Sequence, residues 1–163
     1  MPAACPPDDL RDLVMRSAAA GDADLVREIS AAAFIPAYRG MIPGAPLPAT
    51  EDYSPRIARG EVHVLERAGA ALGVLVLEPA ADHLLVYSLA VRPSAQGQGL
   101  GKALLGFAAQ VARAAGVPEL RLYTNVRMTR NVALYRAAGF VATGTRPHPR
   151  WPGEFLVDMA KRL

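Results

Sequence analysis

Val91-Arg92-Pro93-Ser94-Ala95-Gln96-Gly97-Gln98-Gly99-Leu100-Gly101-Lys102 is the stretch on which the fold turns. Ahead of it runs Leu84-Leu85-Val86-Tyr87-Ser88-Leu89-Ala90-Val91, nearly continuous in apolar residues, which predicts a strand buried on both faces. Behind it, Leu100, Leu104, Phe107, Val111 and Ala115 step by four, three, four and four, the stripe of an amphipathic helix that Gly116 ends. Gly97, Gly99 and Gly101 therefore sit where a buried strand passes into a long helix. Glycines at such a junction permit positive φ and close backbone approach, so several N–H groups can converge on one anion. The helix start adds a partial positive charge, worth about 0.3–1 kcal/mol per anionic group. Phosphate oxygens are the natural ligand.

The kind of phosphate loop is narrowed by spacing. A nucleotide-hydrolysing loop requires G-x-x-x-x-G-K-S/T. Counting back from Gly101-Lys102 places Gln96 where the first glycine belongs, and Ala103 follows the lysine. The dinucleotide pattern G-x-G-x-x-G fails as well: from Gly97 its last glycine falls on Lys102, and from Gly99 on Leu104. What the residues do satisfy is Q-x-x-G-x-G, at Gln96, Gly99 and Gly101.

Working outward, Leu13–Ser17 reads as a short strand and Asp22–Ala33 as a helix capped by Asp22. From Phe34 to Ala49 the prolines at 36, 43, 46 and 48 and the glycines at 40 and 44 predict an irregular segment. Thr50-Glu51-Asp52-Tyr53 opens a short helix toward Arg59, stopped by Gly60. Val62–Arg67 and Leu72–Glu78 form a hairpin about Ala68-Gly69-Ala70-Ala71. Downstream of the long helix come a strand at Leu120–Thr124, a helix at Asn131–Ala138 ended by Gly139, and strands at Phe140–Thr145 and Phe155–Met159. The order β-α-α-β-β-β-α-β-α-β-β predicts an α/β domain with a mixed sheet.

Length and composition set the frame. At roughly 100–200 residues per domain, 163 residues predict one domain spanning 1–163, with residues 1–10 as a flexible tail. The net charge of +3 is small for counterion-release binding, and no basic run interleaved with aromatics backs the basic pI of about 9.3, so no nucleic-acid partner is expected. No apolar run of membrane-spanning length occurs, and Met1–Asp9 has neither a positive start nor an apolar stretch, so no membrane association and a cytoplasmic location are expected. Cys5, the single cysteine, can form no internal disulfide, and no ligand spacing suggests a metal.

The glycine loop, followed downstream by Asn131-x-x-Leu134-Tyr135-x-x-x-Gly139-Phe140, resembles the GCN5-related N-acetyltransferase (GNAT) superfamily over nearly the whole chain. The stretch Leu122-Tyr123-Thr124-Asn125 to Met128 resembles a bacterial subgroup whose acceptors are poorly defined, and the whole looks like a small-molecule-type member. The resemblance implies a GNAT fold: a mixed, mostly antiparallel sheet of about seven strands, splayed at the cofactor cleft, with about four helices. It implies acetyl-CoA as cosubstrate, without a metal. The pyrophosphate would lie over the N–H groups of Gln96, Gly97, Gln98, Gly99, Leu100, Gly101 and Lys102. Backbone groups of Leu89, Ala90 and Val91 would hold the pantetheine arm and the acetyl carbonyl, as an opened sheet edge allows. Asn131 would bond the pantetheine region and Asn125 would touch either ligand. Tyr135, four residues beyond Asn131 and so on the same helix face, would meet the thioester sulfur and protonate the departing thiolate. On spacing alone, Tyr135 reads equally as a core aromatic.

One departure from the family pattern concerns the base. Several members place Glu or His six residues before the strand's last valine; here that position is Leu85, which takes no proton. Tyr87 shares its side of the strand and could anchor a water. Glu51, Asp52 and His83 are the remaining titratable candidates, while His63 and His148 lack partner spacing. The acceptor pocket is expected from Phe34–Ala49, Glu51-Asp52-Tyr53 and the loop Arg146-Pro147-His148-Pro149-Arg150-Trp151, whose Arg146, Arg150 and Trp151 could meet an acidic or aromatic amine. Three functions stay open at this point: a small-molecule N-acetyltransferase, a protein N-terminal or lysine acetyltransferase, and a non-catalytic acyl-CoA sensor. Many relatives dimerise, and no sequence feature marks an interface for a homodimer.

Overall fold

The computed structural model describes residues 10–163; Cys5 and most of the expected tail lie outside the described residues. Seven strands and four α-helices occur among them, in the order the sequence predicts: β1 (Leu13–Ser17), α1 (Ala23–Tyr38), α2 (Ser54–Ala58), β2 (Val62–Arg67), β3 (Ala70–Pro79), β4 (Leu84–Val91), α3 (Leu100–Ala114), β5 (Glu119–Asn125), α4 (Thr129–Ala137), β6 (Val141–Pro147) and β7 (Phe155–Arg162). The strands are ordered β1-β2-β3-β4-β5-β7-β6 in one sheet. β4 and β5 run parallel, whereas β1–β2, β5–β7 and β6–β7 are antiparallel. The sheet is therefore mixed and mostly antiparallel, as expected.

Two compact units make up the chain. One runs through Leu75 and takes in Leu89–Gly101; the other is Val76–Ser88 with Lys102–Leu163. In the first, Val26 and Ile29 of α1, Ile57 of α2, and Val62, Val64, Leu65, Val74 and Leu75 of the β2–β3 hairpin are buried. Tyr53 is also buried, and its hydroxyl donates to the Pro48 carbonyl at 2.7 Å. Burial pushes its pKa up to about 12, so it stays a neutral core phenol. In the second unit the core gathers Leu104, Leu105, Ala108, Ala109 and Ala112 of α3, Leu120 and Leu122 of β5, Phe140, and Met159 of β7.

Four expectations change. α1 continues through Pro36 to Tyr38, beyond the predicted stop at Ala33. Proline deletes one hydrogen bond and crowds the preceding turn, and so close to the helix end that loss is confined to a single turn, with Gly40 at φ 80° just beyond. The second helix begins at Ser54, leaving Glu51 and Asp52 ahead of it. β4 alternates rather than burying both faces: Leu84, Val86, Ser88 and Ala90 are buried, while Leu85, Tyr87 and Leu89 are half-buried. Finally, the deepest stripe of α3 keeps Leu100 and Leu104 but continues through Ala108 and Ala112, with Phe107 and Val111 at its flank and Ala115 exposed. Small residues let that helix lie close to the strands, and the bulkier side chains fill the margins.

Candidate functional site

In the first unit, the β4 end and the glycine loop form one braced assembly. Arg92 opens the loop: its N–H donates to the Leu72 carbonyl at 2.8 Å and its Nε to the Ala71 carbonyl at 2.7 Å. Its Nη1 pairs with Glu28 of α1 at 2.8 Å, which holds that carboxyl below its usual range. A short 3-10 turn, Pro93–Ala95, follows. Gln96 then turns its side chain back, Nε2 donating to the Val91 carbonyl at 3.0 Å. The leading glutamine of Q-x-x-G-x-G thus ties the loop to its own strand with its side chain, and its backbone N–H donates to the Pro93 carbonyl at 3.3 Å, so the anion role expected of it passes to the N–H groups that follow.

Gly97 and Gly99 take φ of 79° and 80°, the left-handed region that glycine occupies without strain. A Cβ at either would meet nothing within 4 Å, so the loop surface is open where a ligand approaches. Gly101 lies inside the first turn of α3 rather than in the loop. Gln98 accepts a hydrogen bond from Arg67 Nη1 at 3.0 Å, across 31 residues of sequence. Arg67, and the bracing of Arg92 against Ala71 and Glu28, were invisible to sequence reading, because no local spacing links these positions.

The second unit carries Asn125, Asn131, Tyr135 and Lys102, and the start of β4. β4 and β5 register at only two pairs, Leu84↔Leu120 and Leu85↔Arg121. From Leu122 to Asn125, β5 keeps its register with β7 alone, through Leu122↔Met159 to Asn125↔Leu156. Parallel pairing is thus confined to the first residues of β4. Tyr135 is 8% exposed on α4, and its ring packs edge-on against Phe140 with centroids 6.1 Å apart. Phe140 N–H also donates to the Tyr135 carbonyl at 3.0 Å, so the Gly139-Phe140 step fixes the tyrosine from both ends. Asn131 lies in the first turn of the same helix.

Asn125 is 1% exposed and its amide is largely committed. Nδ2 donates to Glu154 Oε2 at 2.9 Å, and Oδ1 accepts from the Arg127 N–H at 2.9 Å. Glu154 also accepts from Arg127 Nη1 at 2.8 Å, and these partners hold its carboxyl below the usual range. Glu154 is a residue that sequence reasoning missed, 29 positions from Asn125.

The base candidates are occupied elsewhere. Glu51 pairs with Arg56 at 2.8 Å, within a group that also joins Arg56 and Arg59 to Glu61. Asp52 Oδ1 accepts from the Ser54 N–H at 3.0 Å, a bond that lowers its pKa and turns the chain just ahead of α2. His83 Nδ1 lies 2.6 Å from Asp82, ahead of β4 and six residues before Leu89, about 20 Å of extended chain. Among the acceptor candidates, Arg146 is bound to both oxygens of Asp158 at 2.9–3.1 Å and sits 5.1 Å from the Tyr123 ring centroid. Arg150 lies 4.8 Å from the Trp151 ring centroid. Arg146 is thereby a strut of the sheet, while the Arg150–Trp151 pair stands on the loop between β6 and β7.

Comparison with known proteins agrees with this geometry. A model of the Acetyltransferase (GNAT) family matches residues 27–140. The chain is 30% identical over 112 residues to N-acetyltransferase family 8 member 2 of Rattus norvegicus, covering 65% of this chain and 46% of that protein. It is 47% identical over 55 residues to the mycothiol acetyltransferase of Beutenbergia cavernae, covering 34% of this chain and 18% of that one. The chain thus spans less than half the length of these curated relatives. Among solved structures, a GNAT family acetyltransferase from Elizabethkingia anophelis with acetyl-CoA bound superposes with a TM-score of 0.74 at 20% identity, over 94% of this chain and 99% of that one. The PaiA N-acetyltransferase of Thermoplasma acidophilum, in complex with coenzyme A, gives 0.75 at 17% identity, over 93% and 99%. Such low identities speak for the fold alone. With the family match covering most of the chain, and the strand, glycine loop and helix in place, the chain belongs to the acetyltransferase (GNAT) family.

Proposed function

We propose that this protein is an N-acetyltransferase that moves the acetyl group of acetyl-CoA onto a primary amine by direct attack, from one cytoplasmic domain spanning residues 1–163. The observation that carries the reading is the glycine loop, where Gly97 and Gly99 take left-handed φ in open space between β4 and a 15-residue helix. Backbone N–H groups from Gly97 to Lys102 would hold the pyrophosphate, as a ring of donors at a helix start suits an anion. Leu89, Ala90 and Val91 would pair with the pantetheine amides, Asn131 would hydrogen-bond the same arm, and Asn125 would supply a donor N–H.

The chemistry assigned to the chain's own groups is spare. As the amine nitrogen bonds to the acetyl carbon, the carbon–sulfur bond breaks and the Tyr135 hydroxyl delivers its proton to sulfur. The proton lost from the ammonium goes to water, since Leu85 stands where a basic side chain would be needed, and water returns one to the Tyr135 phenolate. That last point bears on the acceptor. A lysine amine of pKa about 10.4 is free in only about one part in 2,500 at pH 7, whereas an α-amine near 8 is about 10% free. With water alone as proton acceptor, the second kind of amine reacts faster, so the acceptor is a small-molecule or protein N-terminal amine. The relatives' names cite different substrates and favour no single one.

Calorimetry with acetyl-CoA and with desulfo-CoA tests the cosubstrate. Binding of both, at micromolar or tighter dissociation constants, is expected; absence of binding by either would overturn the proposal.

A further inference from the structure

We propose that Glu154 is a positioning residue that sets the start of α4, and through it the places of Asn131 and Tyr135; this rests on the role assigned to Tyr135 above. The turn between β5 and α4 contains only Val126, Arg127 and Met128. Its backbone is sewn at two points, Val126 N–H to the Phe155 carbonyl at 3.0 Å and Met128 N–H to the Asn125 carbonyl at 2.9 Å. Asn125 decides the rest of its shape, because its Oδ1 accepts from the Arg127 N–H.

An amide side chain can be turned over, exchanging its oxygen for its nitrogen at little cost unless a neighbour discriminates between them. Two neighbours do so here: the Arg127 N–H, which only donates, and Glu154. Its ionised carboxylate only accepts, so Nδ2 must face it and Oδ1 must face Arg127. The Glu154 side chain is 12% exposed, and its second oxygen is taken by the Arg127 guanidinium. One carboxylate thus holds the turn at its start, through Asn125, and at its middle, through Arg127.

The grip is itself fixed from the β6–β7 loop. His148 N–H donates to the Glu154 carbonyl at 2.8 Å, and Glu154 N–H to that of Trp151 at 3.2 Å. His148 Nδ1 accepts from the backbone N–H groups of Arg150 and Trp151 at 3.0 and 3.2 Å. A second consequence concerns recognition. With Oδ1 occupied and one Nδ2 proton given to Glu154, what Asn125 has left to offer a ligand is a donor, so its partner is an oxygen such as an amide carbonyl.

The test compares Glu154→Ala with Glu154→Gln, in steady-state transfer from acetyl-CoA and in hydrogen exchange of the Arg127 and Met128 amides. The glutamine can still accept from Asn125 Nδ2 but loses the charge pair with Arg127. In Glu154→Ala, kcat is expected to fall about tenfold with the acetyl-CoA dissociation constant within about threefold, since a shift of under an ångström suffices. Arg127 exchange should accelerate about tenfold in parallel as the Asn125 grip is lost. Glu154→Gln should restore both to within about threefold of the native protein. Faster exchange with unchanged kcat would overturn the proposal by making Glu154 a structural strut alone, and so would unchanged exchange. An inactive native protein would instead remove the acetyltransferase reading, and Arg127 exchange would still uphold or reject the Asn125 grip.

Discussion

At the scale of single residues, Tyr135 and Gly99 make opposite demands. Tyr135 is placed by Phe140 and serves the account only when a thiolate leaves. Tyr135→Phe keeps the ring and its edge contact, so kcat should drop about a hundredfold while acetyl-CoA affinity stays within about twofold. Pre-steady-state turnover with calorimetric affinities would check this, and unchanged turnover would return the tyrosine to the role of core aromatic. Gly99, by contrast, should act on binding. Gly99→Val forces a β-branched residue into φ 80°, costing about 1–2 kcal/mol, and projects its side chain into the open space over the loop. Gly60, at φ 73° and equally open, supplies the control. Both valine variants should melt earlier by a similar margin, but Gly99→Val alone should lose acetyl-CoA affinity. Equal affinities in the two would detach Gly99 from the cosubstrate.

At the scale of elements, the β2–β3 hairpin carries a correctable strain. Its turn is the two residues Ala68 and Gly69, at φ 49° and 78°, a type that favours asparagine followed by glycine. Ala68→Asn should raise stability by about 0.5–1 kcal/mol, read as a later denaturant midpoint with the same slope. The turn also shows where the sequence was legible and where it was not. The hairpin was readable from Gly69 between two β-rich runs, but not the exact pair of turn residues, because Ala68 disfavours the conformation it adopts. The order of strands and helices was readable because periodicity switches between two and about 3.6. The end of α1 was misplaced because Pro36 is tolerated in a last turn, and the α3 stripe was shifted because close packing recruits alanines that carry a weak hydropathic signal. The loop glycines, Asn131 and Tyr135 are local motifs and could be read directly. The contacts of Arg67, Arg92 and Glu154 could not, since sheet topology alone brings these residues to Gln98, Ala71 and Asn125.

At the scale of the whole molecule, titration couples these parts to pH. Burial holds His63 and His148 below the usual imidazole pKa, so each is kept neutral in the folded state. For such a group the unfolded chain binds the proton first. The contribution is therefore full above about 6.5 and is lost as pH falls through the window beneath it. His148 carries an added consequence, because protonation at Nδ1 would break its bonds from Arg150 and Trp151. Asp22, held low by Arg16, and Glu61, held low by Arg59 and Arg56, contribute at neutral pH and lose that contribution only below about pH 4. Thermal melts should show a first decline between about pH 6.5 and 5 and a second below about pH 4. In His148→Gln the first decline should shrink, and an unchanged decline there would mean that His63 alone produces it. No helix among the described residues is long and apolar enough to cross a membrane.

The central claim is transfer from acetyl-CoA to an amine by a protein that lacks a basic side chain at position 85. Free-thiol release should be followed at neutral pH with acetyl-CoA and a panel of small α-amines, peptides with free N-termini, and N-terminally blocked lysine peptides. Thiol release should depend on the amine, fastest with an α-amine and slow with blocked lysine peptides. Acetyl-CoA binding without thiol release across the panel would contradict it and identify an acyl-CoA sensor, and fastest release with the lysine peptides would contradict the role given to Leu85.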